Sequence, residues 1–491
     1  MLAKSTAFVF SLALPLLLVR RLNQREFGLY KQAFLLIGTA VAVLPLSVGM
    51  SAFYFLPREE DINRRRNAVF NIVLFNAFVG GLVFLLFATQ PWIFSKLFHD
   101  PELAQFGPLI GAVILFWLFS TFLEVVTVVN REAQLATFFI VGGQVSKALW
   151  LLVAAVFFGS IRSLLIAALI HSAMLSLLLL GYLNLRFKNF WRSFDWGMLR
   201  EQLAYALPYG ASAMLFTAQT DLHNYFVSNH FGAATFAIYS IGCLQLPLVG
   251  ILSESIASVT IPRISYLQKL GDKREILLLM TRLMRKLAVI YFPLYAILLV
   301  GGHEFIRWLF TEKYSASFPI FAINITLLPF YVIMLDPIVR AYAEQRYFLL
   351  RLRFVLFCIL LLSLWFSINH YGILGVITVV VSITLSEHLI VTYRSAKILG
   401  VKRADMLLLR DVAKLALAAI VAGIVAAIAR SLFLSLKPFY LLSLTGMVLL
   451  VTYLAMSLML GVPTAEERSM VRKKLTQCQR LLRLNRATES F

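Results

Sequence analysis

The chain contains, at residues 68–89, the segment AVFNIVLFNAFVGGLVFLLFAT, which carries no ionisable side chain and closely follows Arg64, Arg65 and Arg66. An α-helix of this length extends for about 33 Å at 1.5 Å per residue. It is therefore long enough to cross the hydrocarbon core of a bilayer, which is roughly 30 Å thick. Because arginines are favoured in the loops beside a span and not within it, the segment predicts a membrane-spanning helix that begins after them.

The composition extends this interpretation to the whole chain. Of the 491 residues, 60% are hydrophobic and 14% are charged, whereas soluble globular proteins carry about 25% charged residues. These values exclude a soluble enzyme, a disordered chain and a disulfide scaffold. Cys243, Cys358 and Cys478 have no paired spacing, so we expect free thiols without a metal or disulfide role. The net charge of +21 does not indicate a nucleic-acid partner, because the basic residues lie in short loops between apolar runs.

Fourteen apolar runs pass the length expected of a span. They comprise residues 3–19, 33–56, 68–89, 106–129, 135–158, 163–185, 206–228, 235–261, 287–302, 318–339, 348–368, 372–392, 412–434 and 438–461. The runs that begin at residues 3 and 287 are short, so twelve or thirteen spans remain alternatives. We interpret the first run as a span and not as a cleaved signal peptide, because Arg20 and Arg21 follow it in place of small residues.

Basic residues give the orientation of the spans. On the side shared by the N-terminus and the loops after even-numbered spans lie 34 of the 45 lysines and arginines, whereas 10 lie on the other side and Lys147 lies within a span. Because positively charged loops remain in the cytosol, this distribution predicts a multi-pass protein of the cytoplasmic (inner) membrane with cytosolic N- and C-termini. The segment 263–286 interleaves basic and apolar residues, which predicts an amphipathic helix on the inner membrane surface.

The two halves of the sequence share short motifs in the same order. Glu26–Tyr30 (EFGLY) corresponds to Thr235–Tyr239 (TFAIY) at an offset of 209, and Pro57-Arg58 corresponds to Pro262-Arg263 at an offset of 205. The pattern predicts two repeats of six spans each. The predicted domains are an N-terminal six-helix lobe (1–190), a C-terminal six-helix lobe (200–395), two additional helices (405–461) and a basic cytosolic tail (462–491).

An even number of spans in each repeat gives both repeats the same orientation, so that they are related by an axis along the membrane normal. Many secondary transporters have this parallel arrangement, with a substrate site near the membrane midplane between the two lobes. The sequence therefore predicts a transporter that works by alternating access.

Arg20-Arg21-Leu22 and the following Glu26–Tyr30 resemble the N-terminal signature of polysaccharide transporters, the Wzx-like oligosaccharide flippases of the MOP exporter superfamily. In the second half, Asp221 opens a segment that ends in Phe231-Gly232 and continues to Tyr239, which is similar to a pattern of that family. The resemblance implies an all-α polytopic, MATE/MOP-like fold. It also implies export of a polyprenyl-diphosphate-linked oligosaccharide for the biosynthesis of cell-surface polysaccharide, such as O-antigen, capsule or exopolysaccharide.

Lys147 is the basic residue that lies deepest in the predicted membrane, at the midpoint of the run 135–158. A charge at the bilayer centre costs about 2.5–3.5 kcal/mol on insertion scales, so it is expected to face a partner or a wet cavity. A flippase of a lipid diphosphate needs a cation at this depth, whereas the alternative is a structural ion pair with a carboxylate. The candidate substrate-binding residues of the cavity are Lys147, Arg131, Gln144, Gln219 and Asn324.

Acidic residues at membrane depth form a second group, in the cytosolic halves of spans that run from outside to inside. They are Glu124, Glu254, Asp336 and Glu387, with His388 beside the last of them. These residues are candidates for ion coupling or gating, or alternatively for stabilising pairs with interfacial arginines. Asp221 and Asn224 are three residues apart in the seventh span and share a helix face. They are a candidate ion-coupling site or, alternatively, hydrogen-bonding residues between helices.

The sequence contains no nucleotide-binding loop, metal-ligand cluster or nucleophile constellation, and we expect neither a cofactor nor an enzyme. A membrane-embedded glycosyltransferase or polymerase would need acid/base residues on large outer loops, but the predicted outer loops are short and poor in acids. The alternatives within transport are a flippase of the lipid-linked peptidoglycan precursor and cation-coupled drug efflux. The expected partners are the lipid-linked oligosaccharide, membrane lipids, and a polysaccharide polymerase or glycosyltransferases, without nucleic acid.

Overall fold

The computed structural model describes residues 14–98, 100–192 and 194–462, and in this part of the chain all regular structure is helical. Residues 14–21 form the first helical segment that is described. The helices that follow are α1 (Gln24–Val43), α2 (Ala52–Phe55), α3 (Ile62–Thr89), α4 (Trp92–Phe98), α5 (Pro101–Ala104), α6 (Gly107–Ser120), α7 (Phe122–Val129), α8 (Ala133–Val153), α9 (Ile161–Arg186), α10 (Trp196–Gly242), α11 (Pro247–Lys269), α12 (Lys273–Val300), α13 (Gly302–Phe310), α14 (Phe318–Ile325), α15 (Asp336–Ala341), α16 (Arg346–Leu399), α17 (Arg410–Leu432) and α18 (Pro438–Met459).

Ten helices within the described residues are long and apolar enough to cross a membrane. They are Gln24–Phe55, Ile62–Thr89, Gly107–Val129, Ala133–Phe158, Ile161–Arg186, Pro247–Lys269, Lys273–Val300, Tyr347–Leu399, Arg403–Leu432 and Pro438–Met459. The predicted run 206–228 lies within α10, the run 318–339 falls on α14 and α15, and the run 3–19 lies mostly outside the described residues. The predicted all-α polytopic fold is therefore confirmed, whereas the number of fourteen spans stays a prediction.

Two of the longest helices break at a glycine. α10 breaks at Gly232 (φ 77°, ψ 176°) and α16 breaks at Gly372 (φ 60°, ψ −151°). Glycine alone adopts such positive φ values readily, so each break joins two predicted spans almost without a loop. In the first half of the chain, Asn23 caps α1 and Gly159 (φ 55°) precedes α9, which places comparable turns 209 and 213 residues earlier. The division into two six-span repeats stays a prediction.

The described residues form two compact units, of which the first contains the candidate substrate site. It comprises the described part of Met1–Ser255 together with Leu309–Asn324 and Glu344–Glu387. In this unit α1 packs along α10, α3 packs along α6, and both α6 and α8 pack against α9. Ile72 and Phe122 are among the buried apolar side chains of its core.

The second unit comprises Ile256–Trp308, Ile325–Ala343 and the described part of His388–Phe491. Here α12, α17 and α18 pack against one another. The two additional helices predicted at 405–461 correspond to α17 and α18. The predicted basic tail at 462–491 lies, apart from its first residue, outside the described residues.

The prediction of one surface helix over 263–286 is wrong. α11 extends to Lys269, Gly271 (φ 74°) turns the chain, and α12 begins at Lys273 and continues to Val300. Met280 and Met284 are buried, because residues four apart lie on the same face of a helix. The basic residues of this segment therefore flank a turn between two long helices.

Candidate substrate site

Lys147 lies near the middle of α8 and is half-buried. Its Nζ is 4.2 Å from the centroid of the Trp117 ring, which α6 contributes. Within residues 14–98, 100–192 and 194–462, no carboxylate forms an ion pair with Lys147. The structure thus places the ammonium of Lys147 over an aromatic face, where its positive charge is stabilised and not cancelled.

The residue before Lys147 connects α8 to α9. The Ser146 hydroxyl and the Nδ1 atom of the buried His171 are 3.3 Å apart. A buried polar side chain is costly unless it is hydrogen-bonded, so this contact favours one position of α8 against α9. It fixes the segment that carries Lys147.

A tight turn precedes α8 and carries Arg131 with φ 61°. Asn130 donates a hydrogen bond to the Tyr182 hydroxyl at 2.8 Å, and Glu132 forms an ion pair with Arg186 at 2.8 Å. A residue other than glycine in the left-handed region costs about 1–2 kcal/mol, and these two contacts hold the turn. The exposed Arg131 side chain is thereby placed at the N-terminal end of α8, and Gln144 is exposed one turn before Lys147.

Glu387 on α16 joins three helical segments. One carboxylate oxygen accepts a hydrogen bond from Arg353 Nε at 3.0 Å, and the other accepts one from Gln219 Nε2 at 3.0 Å. The Arg353 guanidinium also lies 5.3 Å from the centroid of the Phe216 ring. The structure therefore brings together Gln219 and Glu387, which the sequence analysis assigns to different groups.

Arg353 is a site residue that the sequence did not single out, because it was counted only as a basic residue of a cytosolic loop. A signal was present, because Arg353 and Glu387 have opposite charges and lie at the cytosolic ends of two consecutive predicted spans. Trp117 was also missed, since an aromatic residue in an apolar run has no distinguishing pattern.

Asp221 on α10 faces α1. Its Oδ2 accepts a hydrogen bond from the Thr39 hydroxyl at 3.2 Å. Further along the same pair of helices, Gln32 donates to the Ser228 hydroxyl at 2.7 Å, and both side chains are fully buried. Asn224, which is half-buried on α10, is near this polar seam in sequence. Asp221 is therefore placed at a contact between α1 and α10.

The remaining candidates lie in separate surroundings. Asn324 on α14 donates a long hydrogen bond of 3.4 Å to the Leu244 carbonyl. Asp336 forms an ion pair with Arg340 at 2.7 Å, one turn along α15. This pairing matches the stabilising alternative that the sequence leaves open for Asp336.

Two carboxylates of the second group, Glu124 on α7 and Glu254 on α11, have exposed side chains. The His388 ring lies 6.0 Å from the Tyr331 ring in an edge-to-face arrangement within the second unit. Across the described ranges, no group of three or more His, Cys, Asp or Glu side chains could hold a metal ion.

The second unit contains an apolar groove of about 460 Å³ between α12 and α17. Tyr295, Leu299, Ile420 and Gly423 are among its lining residues, and its lining exposes no polar surface. Such a groove fits hydrocarbon and is unsuitable for a sugar.

Solved transporters share the architecture of this chain. Over 93% of its length the chain is similar to 98% of the lipid II flippase MurJ in an inward closed conformation, with a TM-score of 0.70 and 17% identity. It also covers 94% of an outward-facing multidrug resistance MATE family transporter of the MOP superfamily (82% of this chain, TM-score 0.56, 12% identity). A MOP superfamily transporter from Pyrococcus furiosus is similar over 93% of its length (81% of this chain, TM-score 0.55, 14% identity). The chain is a multi-pass membrane protein with the MOP transporter fold.

The sequence itself gives the family. Residues 17–319 match the family model described as polysaccharide biosynthesis protein, and the chain belongs to this family. No curated protein matches the sequence. The family match and the shared fold confirm the predicted family and the predicted MATE/MOP-like fold.

Proposed function

We propose that the protein is a flippase that exports a polyprenyl-diphosphate-linked oligosaccharide across the cytoplasmic membrane by alternating access. Membership of the polysaccharide biosynthesis protein family supports a role in cell-surface polysaccharide assembly. The MOP transporter fold supports movement of a substrate and not its chemical conversion. The sugar head would pass through a cavity while the polyprenyl chain stays in the bilayer.

The observation that carries this proposal is the Lys147 ammonium, which lies on a helix long and apolar enough to cross a membrane and pairs with no carboxylate among the described residues. A diphosphate cannot enter hydrocarbon without a counter-charge, because an isolated ion in a medium of low dielectric constant is very unfavourable. Lys147 supplies that charge, and the exposed Arg131 at the start of the same helix would receive the diphosphate first. Hydrogen bonds to a charged partner contribute about 1.5–3 kcal/mol each.

The membrane potential favours export of an anion. With a negative interior, outward movement releases about 2.3 kcal/mol per charge for every 100 mV. A diphosphate-linked substrate would therefore move outward without a coupled cation. Proton or sodium antiport is the alternative source of energy. Asp221, which accepts a hydrogen bond from Thr39, would then be the residue that binds the coupling ion.

Replacement of Lys147 tests the proposal. In a host whose surface glycan depends on this protein, we expect Lys147→Ala to lower export about 10- to 140-fold, the equivalent of about 1.5–3 kcal/mol. Lys147→Arg keeps the charge and is expected to retain a substantial part of export. The measurement is the amount of surface glycan at matched amounts of protein in the membrane.

Lys96 provides a matched control. Its Nζ lies 4.9 Å from the centroid of the Trp92 ring, and both side chains are exposed at the predicted outer surface. Lys96→Ala should leave export unchanged. Full export by Lys147→Ala would show that the diphosphate does not depend on this cation.

We also propose that both termini are cytosolic. Reporter fusions at residues 195, 270 and 405 lie in predicted cytosolic loops and should report only the cytosolic state. An external signal from any of them would contradict the orientation derived from the basic loops.

An enzyme is the rival of a different class. Two of the predicted external carboxylates are engaged in ion pairs, Glu102 with Arg25 at 3.2 Å and Glu304 with Arg430 at 2.7 Å. These pairs disfavour a general acid or base at the outer surface. Purified protein should accordingly release no sugar or diphosphate from a lipid-linked oligosaccharide.

Within transport, Lys147 disfavours cation-coupled efflux of cationic drugs, since like charges repel in a medium of low dielectric constant. It suits the lipid-linked peptidoglycan precursor equally well, because that substrate also carries a diphosphate. Rescue of cells depleted of their own peptidoglycan-precursor flippase would indicate that second substrate. We expect no rescue if the oligosaccharide is the substrate.

A further inference from the structure

We propose that Trp117 is a positioning residue that holds the Lys147 ammonium in the membrane without neutralising it and so prepares this cation for the diphosphate of a lipid-linked sugar. This inference rests on the proposed function and deepens it. It names the residue that makes a lysine at membrane depth available as an anion site.

The partner of a buried cation determines whether that cation can bind an anion. A carboxylate next to Lys147 would give a neutral pair, and a diphosphate would then have to displace the carboxylate before it could bind. An aromatic face attracts the ammonium through its quadrupole but carries no net charge. The contact with Trp117 therefore stabilises the Lys147 ammonium without placing a negative charge beside it.

The geometry fits an aromatic partner of this kind. The separation of 4.2 Å between Lys147 Nζ and the ring centroid is well within the limit of about 6 Å for a cation–π interaction. An ammonium has three donors, and the ring covers only one side of it. Lys147 is only half-buried, and the proposal places the oxygens of the anion on the side of the ammonium away from the ring.

Both residues are held in place through a third helix. The Ser176 hydroxyl of α9 donates to the carbonyl of Phe116, the neighbour of Trp117, at 2.8 Å. His171, also on α9, is 3.3 Å from the hydroxyl of Ser146, the neighbour of Lys147. The helices that carry the ring and the ammonium are therefore each fixed to α9, so that the pair is set before any substrate arrives.

Preorganisation of this kind increases affinity because less freedom is lost when the ligand binds. Lysine has four flexible methylene groups, and an ammonium without a partner at this position would move toward the membrane surface. Trp117 counteracts that movement. We therefore expect weaker anion binding when the face of the ring is lost, even though Lys147 is still present.

The test uses tryptophans with one to four fluorine atoms, inserted only at position 117. Fluorine removes electron density from the ring face and weakens the cation–π interaction while the shape of the ring is nearly kept. The probe is polyprenyl diphosphate, and the full-length protein is reconstituted in vesicles of phosphatidylethanolamine and phosphatidylglycerol. We expect the dissociation constant to rise stepwise with the number of fluorines, by about 2- to 30-fold over the series.

Three further variants separate positioning from packing. Trp117→Phe keeps a weaker aromatic face and should give an intermediate affinity, whereas Trp117→Leu should give the weakest binding when equal amounts of folded protein are compared. In Lys147→Gln the fluorine series should have no effect on the residual binding. The same series at Trp92, which lies beneath the exposed Lys96, should also have no effect.

Each result has one meaning. Constant affinity across the fluorinated series overturns the role of Trp117 and leaves the flippase proposal standing, provided that Lys147→Gln still binds weakly. Equal binding by wild type and Lys147→Gln overturns the diphosphate role of Lys147 and with it this inference. A fluorine effect that persists in Lys147→Gln shows that the ring acts without the lysine and also overturns the inference.

Discussion

Arg430 donates two hydrogen bonds to the carboxylate of Glu304, from Nη2 at 2.7 Å and from Nε at 3.1 Å. The Glu304 side chain is 5% exposed. The pair joins α13 to α17 within the second unit. α17 is one of the two additional helices that follow the predicted lobes. Such a two-pronged arrangement between arginine and a carboxylate is among the strongest hydrogen-bonded contacts in proteins.

The first prediction concerns the pH dependence of this pair. Burial alone would raise the pKa of Glu304, but the hydrogen bonds and the charge of Arg430 outweigh it and lower the pKa below its usual value. A carboxyl with a lowered pKa stabilises the folded state above its unfolded pKa of about 4.3, and this contribution is lost as the pH falls through the folded pKa. Glu304→Gln should therefore destabilise the protein at pH 7 and have less effect as the solution is acidified below pH 4.

Unfolding followed in detergent at several pH values measures this difference. Removal of one partner of a buried ion pair typically costs about 3–5 kcal/mol. Glu102→Gln is the control, because Glu102 pairs with Arg25 at 3.2 Å in an exposed setting and exposed pairs contribute about 0–1 kcal/mol. Equal effects of the two substitutions at pH 7 would contradict a special contribution from the buried pair.

The second prediction concerns the approach of α1 to α10. Gly28 is buried, and a methyl group at this position would overlap the carbonyl oxygen of Ala233. Gly28→Ala should force the helices apart, break the hydrogen bond from Gln32 to Ser228 and lower the unfolding temperature strongly. Backbone atoms cannot move aside as a flexible side chain can, so the cost should exceed the roughly 1–3 kcal/mol of ordinary overpacking.

Gly38 on the same helix is the matched control, because a methyl group there would meet no atom within 4 Å. Gly38→Ala should be neutral or stabilise the helix by about 0.5–1 kcal/mol, since alanine has the higher helix propensity. Thermal unfolding of the two variants side by side gives the comparison. A stable Gly28→Ala variant would show that α1 and α10 are farther apart than described.

The sequence was sufficient to predict the elements that depend on hydropathy. Lys147 was placed at the middle of the run 135–158, and it lies near the middle of α8. The break at Gly372 falls at the first residue of the run 372–392, just after the run 348–368. These predictions succeed because the cost of burying charge in a membrane acts on each segment separately.

Contacts between residues that are distant in the sequence were predicted less completely. Glu387 meets Gln219, 168 residues earlier, and Asp221 meets Thr39, 182 residues earlier. No local pattern specifies such distant contacts. The segment 263–286 was predicted as a surface helix because its charges have a helical spacing, but the left-handed turn at Gly271 divides it.

The third prediction separates a structural role of Glu387 from a coupling role. Both of its carboxylate oxygens accept hydrogen bonds, from Arg353 and from Gln219. Glu387→Leu leaves the half-buried Arg353 without its acidic partner and should destabilise the protein by less than the roughly 3–5 kcal/mol that is typical of a fully buried pair. The double variant Arg353→Met with Glu387→Leu should regain more than half of this loss.

Export by the double variant distinguishes a structural role of Glu387 from a role in coupling. If the pair only joins α16 to itself and to α10, the double variant should export at a rate close to that of wild type once its amount in the membrane is matched. A double variant that is stable but does not export would show that the Glu387 carboxylate has a direct part in coupling or gating. Surface glycan and unfolding temperature, measured on the same preparations, give both values.

The fourth prediction tests alternating access at a contact between the two predicted lobes. The Asn229 amide donates to the carbonyls of Lys96 at 2.7 Å and Leu97 at 3.0 Å, and the adjacent Phe98 ring stacks on Tyr225 at 5.9 Å. This contact lies on the predicted outer side, so the lobes must separate there when the substrate leaves. A short thiol cross-link between Leu97→Cys and Asn229→Cys, in a background without native cysteines, should stop export, and reduction should restore it.

A cross-link within one predicted lobe is the control for this experiment. Arg25 and Glu102 also lie on the predicted outer side, 3.2 Å apart at their charged atoms, and both belong to the N-terminal lobe. Arg25→Cys with Glu102→Cys, joined by a bifunctional thiol reagent that spans the length of the two former side chains, should continue to export, because rocking of rigid lobes does not change distances within a lobe. Export at the wild-type rate by the protein cross-linked between positions 97 and 229 would refute rocking of the lobes, since the outer contact would then never need to open.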